Sequence, residues 1–217
     1  MSPETRSAQQ YFEKVPAQWD ALYSHENHWK YYLNRVLRKG LFDRYDFVFR
    51  ECGDLRGKVV LDIGSGTGRF SIECAKRGAA HVVGVDFAPS MIEFSQRIAR
   101  EMGVDGRCTF IAEDVLSHSF DQRFDVVLAM GLFDYVEHPE RLFAKIGRMS
   151  PGKFIASFPR FTRLWAVQRH VRYQWIRKCP IYYYSREQIE RLCRDAGFSR
   201  VHLEQMRTGF AVCASRA

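Results

Sequence analysis

Residues 58–70 read Lys58-Val-Val-Leu-Asp-Ile-Gly-Ser-Gly-Thr-Gly-Arg-Phe70. Val59, Val60, Leu61 and Ile63 are β-formers interrupted only by Asp62, the pattern of a buried strand. The strand runs into Gly64, Gly66 and Gly68, and then into helical spacing at Phe70, Ile72, Cys74 and Ala75. Glycines at alternate positions allow torsions that a Cβ forbids and let a ligand lie against bare main chain. Free amides at the start of the next helix favour an anionic group. The stretch predicts a site for a nucleotide-like ligand.

Outward from this unit, strand and helix patterns alternate, which argues for a parallel sheet covered on both faces. Strands are expected at 58–63, 81–86, 108–112, 124–129 and 153–158. Helices are expected at about 68–77, from Pro89 to before Gly103, and from about Pro139 to Arg148. Pro89 suits a first helical turn. Ser185 caps a further helix that Gly197 stops. Two closing strands, 200–206 and 209–215, flank a short turn and read as an antiparallel pair.

The glycine loop alone admits several ligands, and its neighbours narrow the choice. A phosphate-binding P-loop ends in Gly-Lys-Ser/Thr, whereas Gly68 precedes Arg69-Phe70. A nicotinamide site uses Gly-x-Gly-x-x-Gly, and the spacing here is tighter. Asp86, closing the second strand, suits a ribose diol. Asp114, closing the third in Ala-Glu-Asp-Val, can accept from an exocyclic amine while Val115 offers an apolar edge.

Asp62-x-Gly64-x-Gly66-x-Gly68, Asp86-Phe-Ala-Pro-Ser-Met91, Glu113-Asp114-Val115 and Phe124-Asp-Val-Val-Leu-Ala129 together resemble the class I S-adenosylmethionine (SAM) methyltransferases over about residues 58–150. The resemblance implies a Rossmann-like α/β fold with a seven-stranded, mostly parallel sheet in the order 3-2-1-4-5-7-6, the last strand antiparallel. It implies SAM as cofactor and S-adenosylhomocysteine (SAH) as its product; no metal is expected, because the sequence has no Cys-x-x-Cys pair and no His cluster at zinc spacing. The implied cofactor residues are Asp62, Gly64, Ser65, Gly66, Gly68, Asp86, Phe87, Met91, Asp114, Val115 and Met130. Of these, Asp86 would hold the ribose, Asp114 the adenine amine, and Met130 would face the sulfonium.

The run Gly131-Leu-Phe-Asp-Tyr-Val-Glu-His-Pro139 is similar to the Leu-Glu-His-Val-x-x-Pro of many small-molecule methyltransferases, with Asp134-Tyr135 replacing Glu-His. The Asn/Asp-Pro-Pro-aromatic signature of amino-methylating nucleic-acid enzymes is missing, which disfavours a nucleic-acid substrate. A hydroxyl acceptor gains from a base near neutral pKa. His28 and His170 are the leading candidates, ahead of His25 and His138, with Asp134 and Tyr135 as helpers.

The rest of the chain bears on the acceptor. Early aromatics (Tyr11, Phe12, Trp19, Tyr23) and the closing Tyr182-Tyr-Tyr-Ser to Phe198 loosely resemble O-methyltransferases of quinone and magnesium-protoporphyrin biosynthesis. In such enzymes the N-terminal helices and an insert cover the acceptor, so residues 1–52 are expected to form a helical lid. Residues 53–217 would form the core, with a basic lid insert at 159–184. The net charge is +8, yet Arg141 to Arg186 alone carries +11 and holds no acidic residue, leaving −3 elsewhere. Such a field points to a partner. An anionic pocket, an amphipathic helix on anionic lipid and a solvated face all fit.

Six scattered cysteines without Cys-x-x-Cys spacing read as buried reduced thiols. The polar first ten residues lack the apolar stretch of a secretory signal. A cytoplasmic protein is expected, with peripheral membrane contact through 159–184 as a further option. The favoured activity is O-methylation of a small acidic or amphiphilic acceptor. The alternatives are a non-catalytic SAM-binding protein and a nucleic-acid methyltransferase. Oligomeric state is left open.

Overall fold

The computed structural model describes residues 39–149, 151–160, 181–207 and 209–216. Helix α1 spans Lys39–Cys52 and is followed by β1 Val59–Ile63, α2 Arg69–Lys76, β2 His81–Asp86, α3 Pro89–Glu101 and β3 Cys108–Ala112. Then come β4 Val126–Ala129, α4 Glu140–Met149, β5 Lys153–Pro159, α5 Arg186–Asp195, β6 Arg200–Met206 and β7 Gly209–Ser215. Short 3-10 turns sit at Asp105–Arg107 and Phe133–Tyr135.

The sheet order is β3-β2-β1-β4-β5-β7-β6. Neighbours are parallel as far as β5, whereas β7 pairs antiparallel with both β5 and β6. Strand direction of progress reverses between β1 and β4. In open parallel sheets the crevice outside the carboxyl ends at such a reversal is where ligands bind.

Two-residue periodicity divides the core. Leu61, Ile63, Val83, Val85, Val127 and Ala129 face Phe143 and Ile146 of α4 and Ile189 and Cys193 of α5. Val60, Val82, Val126 and Leu128 face the other way, against Phe47 and Val48 of α1, Ile72 and Ala75 of α2, and Ala99 of α3. Burial on both faces explains why these strands read as nearly continuous apolar runs.

The ends of several elements are set by side chains. Ser185 Oγ accepts the Gln188 N–H at 3.3 Å while Gln188 Oε1 accepts the Ser185 N–H at 2.8 Å, a reciprocal cap on α5. Arg216 donates to the carbonyls of Gly147 (2.6 Å) and Ala196 (3.3 Å), closing the ends of α4 and α5 together. Strand four begins at Val126, two residues later than expected. There the Asp125 carboxylate accepts the Val59 N–H at 2.8 Å, where a backbone carbonyl would otherwise extend the ladder.

Residues 1–38 and 161–180 lie outside the described residues, and with them most of the expected lid and basic insert. Phe47, Val48, Phe49 and Cys52 of α1 are buried against the sheet, so the last turns before residue 52 are core. They pack with Val60, Val82, Val126 and Leu128 on the sheet's second face. No described helix is long and apolar enough to cross a membrane.

Candidate active site

The loop after β1 is tied down by its neighbour strand. Gly64 and Ser65 donate their N–H groups to the Val85 carbonyl at 2.8 and 3.1 Å. Gly66 donates to Asp86 Oδ2 at 2.9 Å, and Ala88 donates to Oδ1 at 2.9 Å. Burial raises the Asp86 pKa, and these amides work against that shift by stabilising the anion. Gly66 has φ +53°, and a Cβ there would meet nothing within 4 Å, so the loop leaves bare main chain beside open space.

Two adjoining compartments open at the carboxyl ends of the strands. The wider, about 440 Å³, is walled by Asp114, Val115, Leu116, Leu142 and Tyr182 among others. The narrower, about 170 Å³, is walled by Gly66, Arg44, Arg69, Met91, Met130 and Asp134 among others. Gly64, Asp86, Phe87, Leu132 and Tyr135 line both, so they form the partition of one bipartite cleft. The wider part alone lies in the size range of small-molecule sites, roughly 300–1,000 Å³.

Hydrogen bonds fix the far wall. Gly131 donates to Ser157 Oγ at 2.9 Å, which sets the turn carrying Met130 and Leu132 at the end of β4. Tyr135 N–H closes the 3-10 turn on the Leu132 carbonyl at 3.0 Å. Tyr182 N–H donates to the Asp134 carbonyl at 3.1 Å, and Tyr184 Oη donates to the Val136 carbonyl. Tyr182 and Tyr184 are therefore strapped to the loop that lines the cleft.

Most of the expected site residues converge here. Ser65, Gly66, Met91, Met130 and Asp134 line the narrow compartment, Asp114 and Val115 the wide one, and Gly64, Asp86, Phe87 and Tyr135 both. Asp114 Oδ1 accepts the Leu116 N–H at 2.9 Å. Asp134 is buried. Asp62 and Gly68 line neither compartment. Asp62 is fully buried behind the loop and accepts from Ser71 Oγ at 2.6 Å. A Cβ on Gly68 would lie 2.6 Å from Ser95 Cβ, so this glycine serves helix packing. His138 lines the wide compartment, while His28 and His170 fall outside the described residues.

Arg44, Arg69 and Tyr182 also line the cleft without having been singled out. Arg69 directly follows the glycine loop, a position that could have flagged it. Arg44 arrives from α1 by tertiary packing, for which one arginine among many gives no signal. Among the described residues no group of three His, Cys, Asp or Glu side chains is arranged to hold a metal.

The cleft suits a nucleoside with a charged tail. Two carboxylates stand at adjoining strand ends, apolar edges flank them, and a Cβ-free loop and two guanidinium groups occupy the other compartment. Comparisons with known proteins agree. Over 130 residues the chain is 36% identical to a mitochondrial ubiquinone biosynthesis O-methyltransferase of Schizosaccharomyces pombe, covering 57% of this chain and 47% of that one. A Hahella chejuensis ubiquinone biosynthesis O-methyltransferase is 38% identical over 112 residues, covering 50% and 45%. The chain thus spans about half the length of these relatives.

In structure the chain is similar to a magnesium protoporphyrin IX methyltransferase from Synechocystis PCC 6803 solved with bound SAH. The TM-score is 0.77 at 22% identity, over 99% of this chain and 100% of that one. This likeness establishes the shared fold. The family model described as a methyltransferase domain matches residues 54–197, and the chain belongs to that family.

Proposed function

We propose that the chain transfers a methyl group from SAM to an oxygen atom of a small acidic or amphiphilic acceptor. The observation that carries this reading is the bipartite cleft itself. Asp86 and Asp114 share it with the bare main chain of Gly66, next to a compartment walled by Met130, Asp134 and Tyr135. Asp86 is suited to a ribose diol, and Asp114 to an exocyclic amine between Val115 and Phe87. Arg44 and Arg69 supply positive charge for a carboxylate on the narrow side.

SAM supplies a methyl group already activated by its sulfonium. The protein's task is then alignment and exclusion of water, which can account for most of the rate. An acceptor hydroxyl must still lose its proton. The Asp134 carboxylate and Tyr135 hydroxyl line the narrow compartment and are the described candidates for taking it. His28 and His170 remain proposed contributors from outside the described residues.

The names of the ubiquinone-biosynthesis relatives support a hydroxyl acceptor with an apolar tail. The +11 charge of 141–186 supports an anionic acceptor or contact with anionic lipid from the cytoplasmic side. Calorimetric titration with SAM, followed by methyl-label transfer to phenols with and without isoprenoid tails, tests the reading. Label on a phenolic oxygen is the expected result. Binding without transfer to any phenol would favour a non-catalytic SAM-binding protein, and no binding would overturn the donor assignment. Co-flotation with anionic but not neutral vesicles is the expected sign of membrane contact.

A further inference from the structure

The wall that carries Asp114 is held from outside the cleft. Asp114 begins a tight turn: its carbonyl accepts the N–H groups of Ser117 (2.9 Å) and His118 (3.1 Å), and its Oδ1 accepts that of Leu116. That leaves Oδ2 as the carboxylate oxygen with no hydrogen-bond partner among the described residues. The carbonyls of Leu116 and His118 take no part in the turn's own backbone bonds. Both are taken by one group, the Lys145 ammonium, which donates to Leu116 O at 3.2 Å and to His118 O.

Lys145 is well placed to act as this anchor. It lies on α4 one turn beyond Arg141 and Leu142, which line the wide compartment, so helix and turn form adjoining parts of one wall. Its ammonium stands 5.6 Å from the centre of the Phe120 ring, and Phe120 in turn packs on His118 at 4.6 Å and Phe124 at 5.4 Å. His118 Nδ1 lies 2.8 Å from Glu113 Oε2, fixing the turn on its other side. A cation that accepts no hydrogen bonds can join two carbonyls that no backbone donor reaches.

We propose that Lys145 is a positioning residue. By clamping the Leu116 and His118 carbonyls it holds Asp114 Oδ2 where it selects a donor base bearing an exocyclic amino group. The proposal rests on the reading of the cleft as a SAM site. Its ligand would be the 6-amino purine end of the donor, and the 6-oxo counterpart would set a carbonyl oxygen against the carboxylate.

The test compares SAH with S-inosyl-L-homocysteine, in which oxygen replaces the amino group, by calorimetry on the full chain. Asp114 should give the unaltered protein at least a tenfold preference for SAH. Lys145→Met keeps the stem over Phe120 and removes the donors; it should weaken SAH about five- to tenfold and change the inosine analogue less than twofold. Lys145→Arg should restore most of the preference. An equal loss for both ligands, or no loss, would overturn the proposal.

Hydrogen exchange in the ligand-free protein decides the positioning role separately. The amides of Leu116, Ser117 and His118 should exchange at least tenfold faster in Lys145→Met and near the original rate in Lys145→Arg. Unchanged exchange would overturn the clamp even where ligand binding changes. Failure of the unaltered protein to bind SAH would instead overturn the donor reading and the specificity role with it, leaving exchange to decide the clamp.

Discussion

Asp86 Oδ2 accepts the Gly66 N–H at 2.9 Å, so the acid at the end of β2 holds the glycine loop that follows β1. One carboxylate thus shapes the loop and faces the cleft. Hydrogen bonds to a charged group contribute about 1.5–3 kcal/mol. Asp86→Asn retains the shape and removes the charge. It should raise the SAH dissociation constant roughly tenfold to a hundredfold by calorimetry. An unchanged constant would contradict the ribose assignment.

Gly66 and Gly68 should respond differently to the same change. At Gly68, with φ +74° and Ser95 Cβ only 2.6 Å from an added methyl, alanine meets both torsional strain and overpacking. Gly68→Ala should cost about 2–4 kcal/mol in urea unfolding. Gly66→Ala meets open space and should cost about 1 kcal/mol, from torsion alone, yet impair SAH binding more than tenfold. A Gly66→Ala protein that binds normally would show that the ligand does not approach the loop.

Asp62 gives a pH signature. Burial raises its pKa to about 6 despite the Ser71 hydrogen bond. The fold therefore favours the protonated acid. This contribution is complete below the ordinary value of 3.8 and is lost as pH rises through about 6. Asp62→Asn cannot ionise. Its stability relative to the unaltered protein should climb by as much as about 3 kcal/mol between pH 4 and 7, measured by denaturant unfolding. A pH-independent difference would contradict the burial argument.

The thiols should be inert in the folded protein. Burial pushes Cys52, Cys193 and Cys213 up to about 12 and Cys74 well above its ordinary value. Few thiolates exist at neutral pH, and they are the reacting form. Peptide mapping after treatment with a thiol reagent at pH 8 should find these four labelled only once guanidinium is added. Rapid labelling of any of them in the native protein would contradict their burial.

β2 and β7 were legible because burial on both faces leaves a plain apolar run; the edge strands β3 and β6 are only partly buried, and all four fall at their expected limits. Strand four was misjudged at its start because Asp125 stands in for a backbone acceptor, a substitution visible only with β1 beside it. The cleft acids were legible because each ends a strand. Asp62 pairs with Gly84 and so shares the sheet face of Asp86, but it lies one residue short of its strand's end, where the loop and Ser71 bury it. Arg44 and Lys145 reach the site from helices far along the chain, so only packing brings them into view.

The Tyr182–Asp134 bond has a partner at the base of the same segment: Tyr184 N–H donates to the Pro159 carbonyl at 3.2 Å. Pro159 and Tyr184, which flank 161–180, are thereby fastened to each other, and Tyr182 to the cleft wall. Closing a longer loop on a fixed base costs little, about 0.6 kcal/mol per doubling of length. The spacing of Pro159 and Tyr184 is therefore set by the cleft wall and not by the length of chain between them, so a change of length there need not disturb the donor side of the cleft.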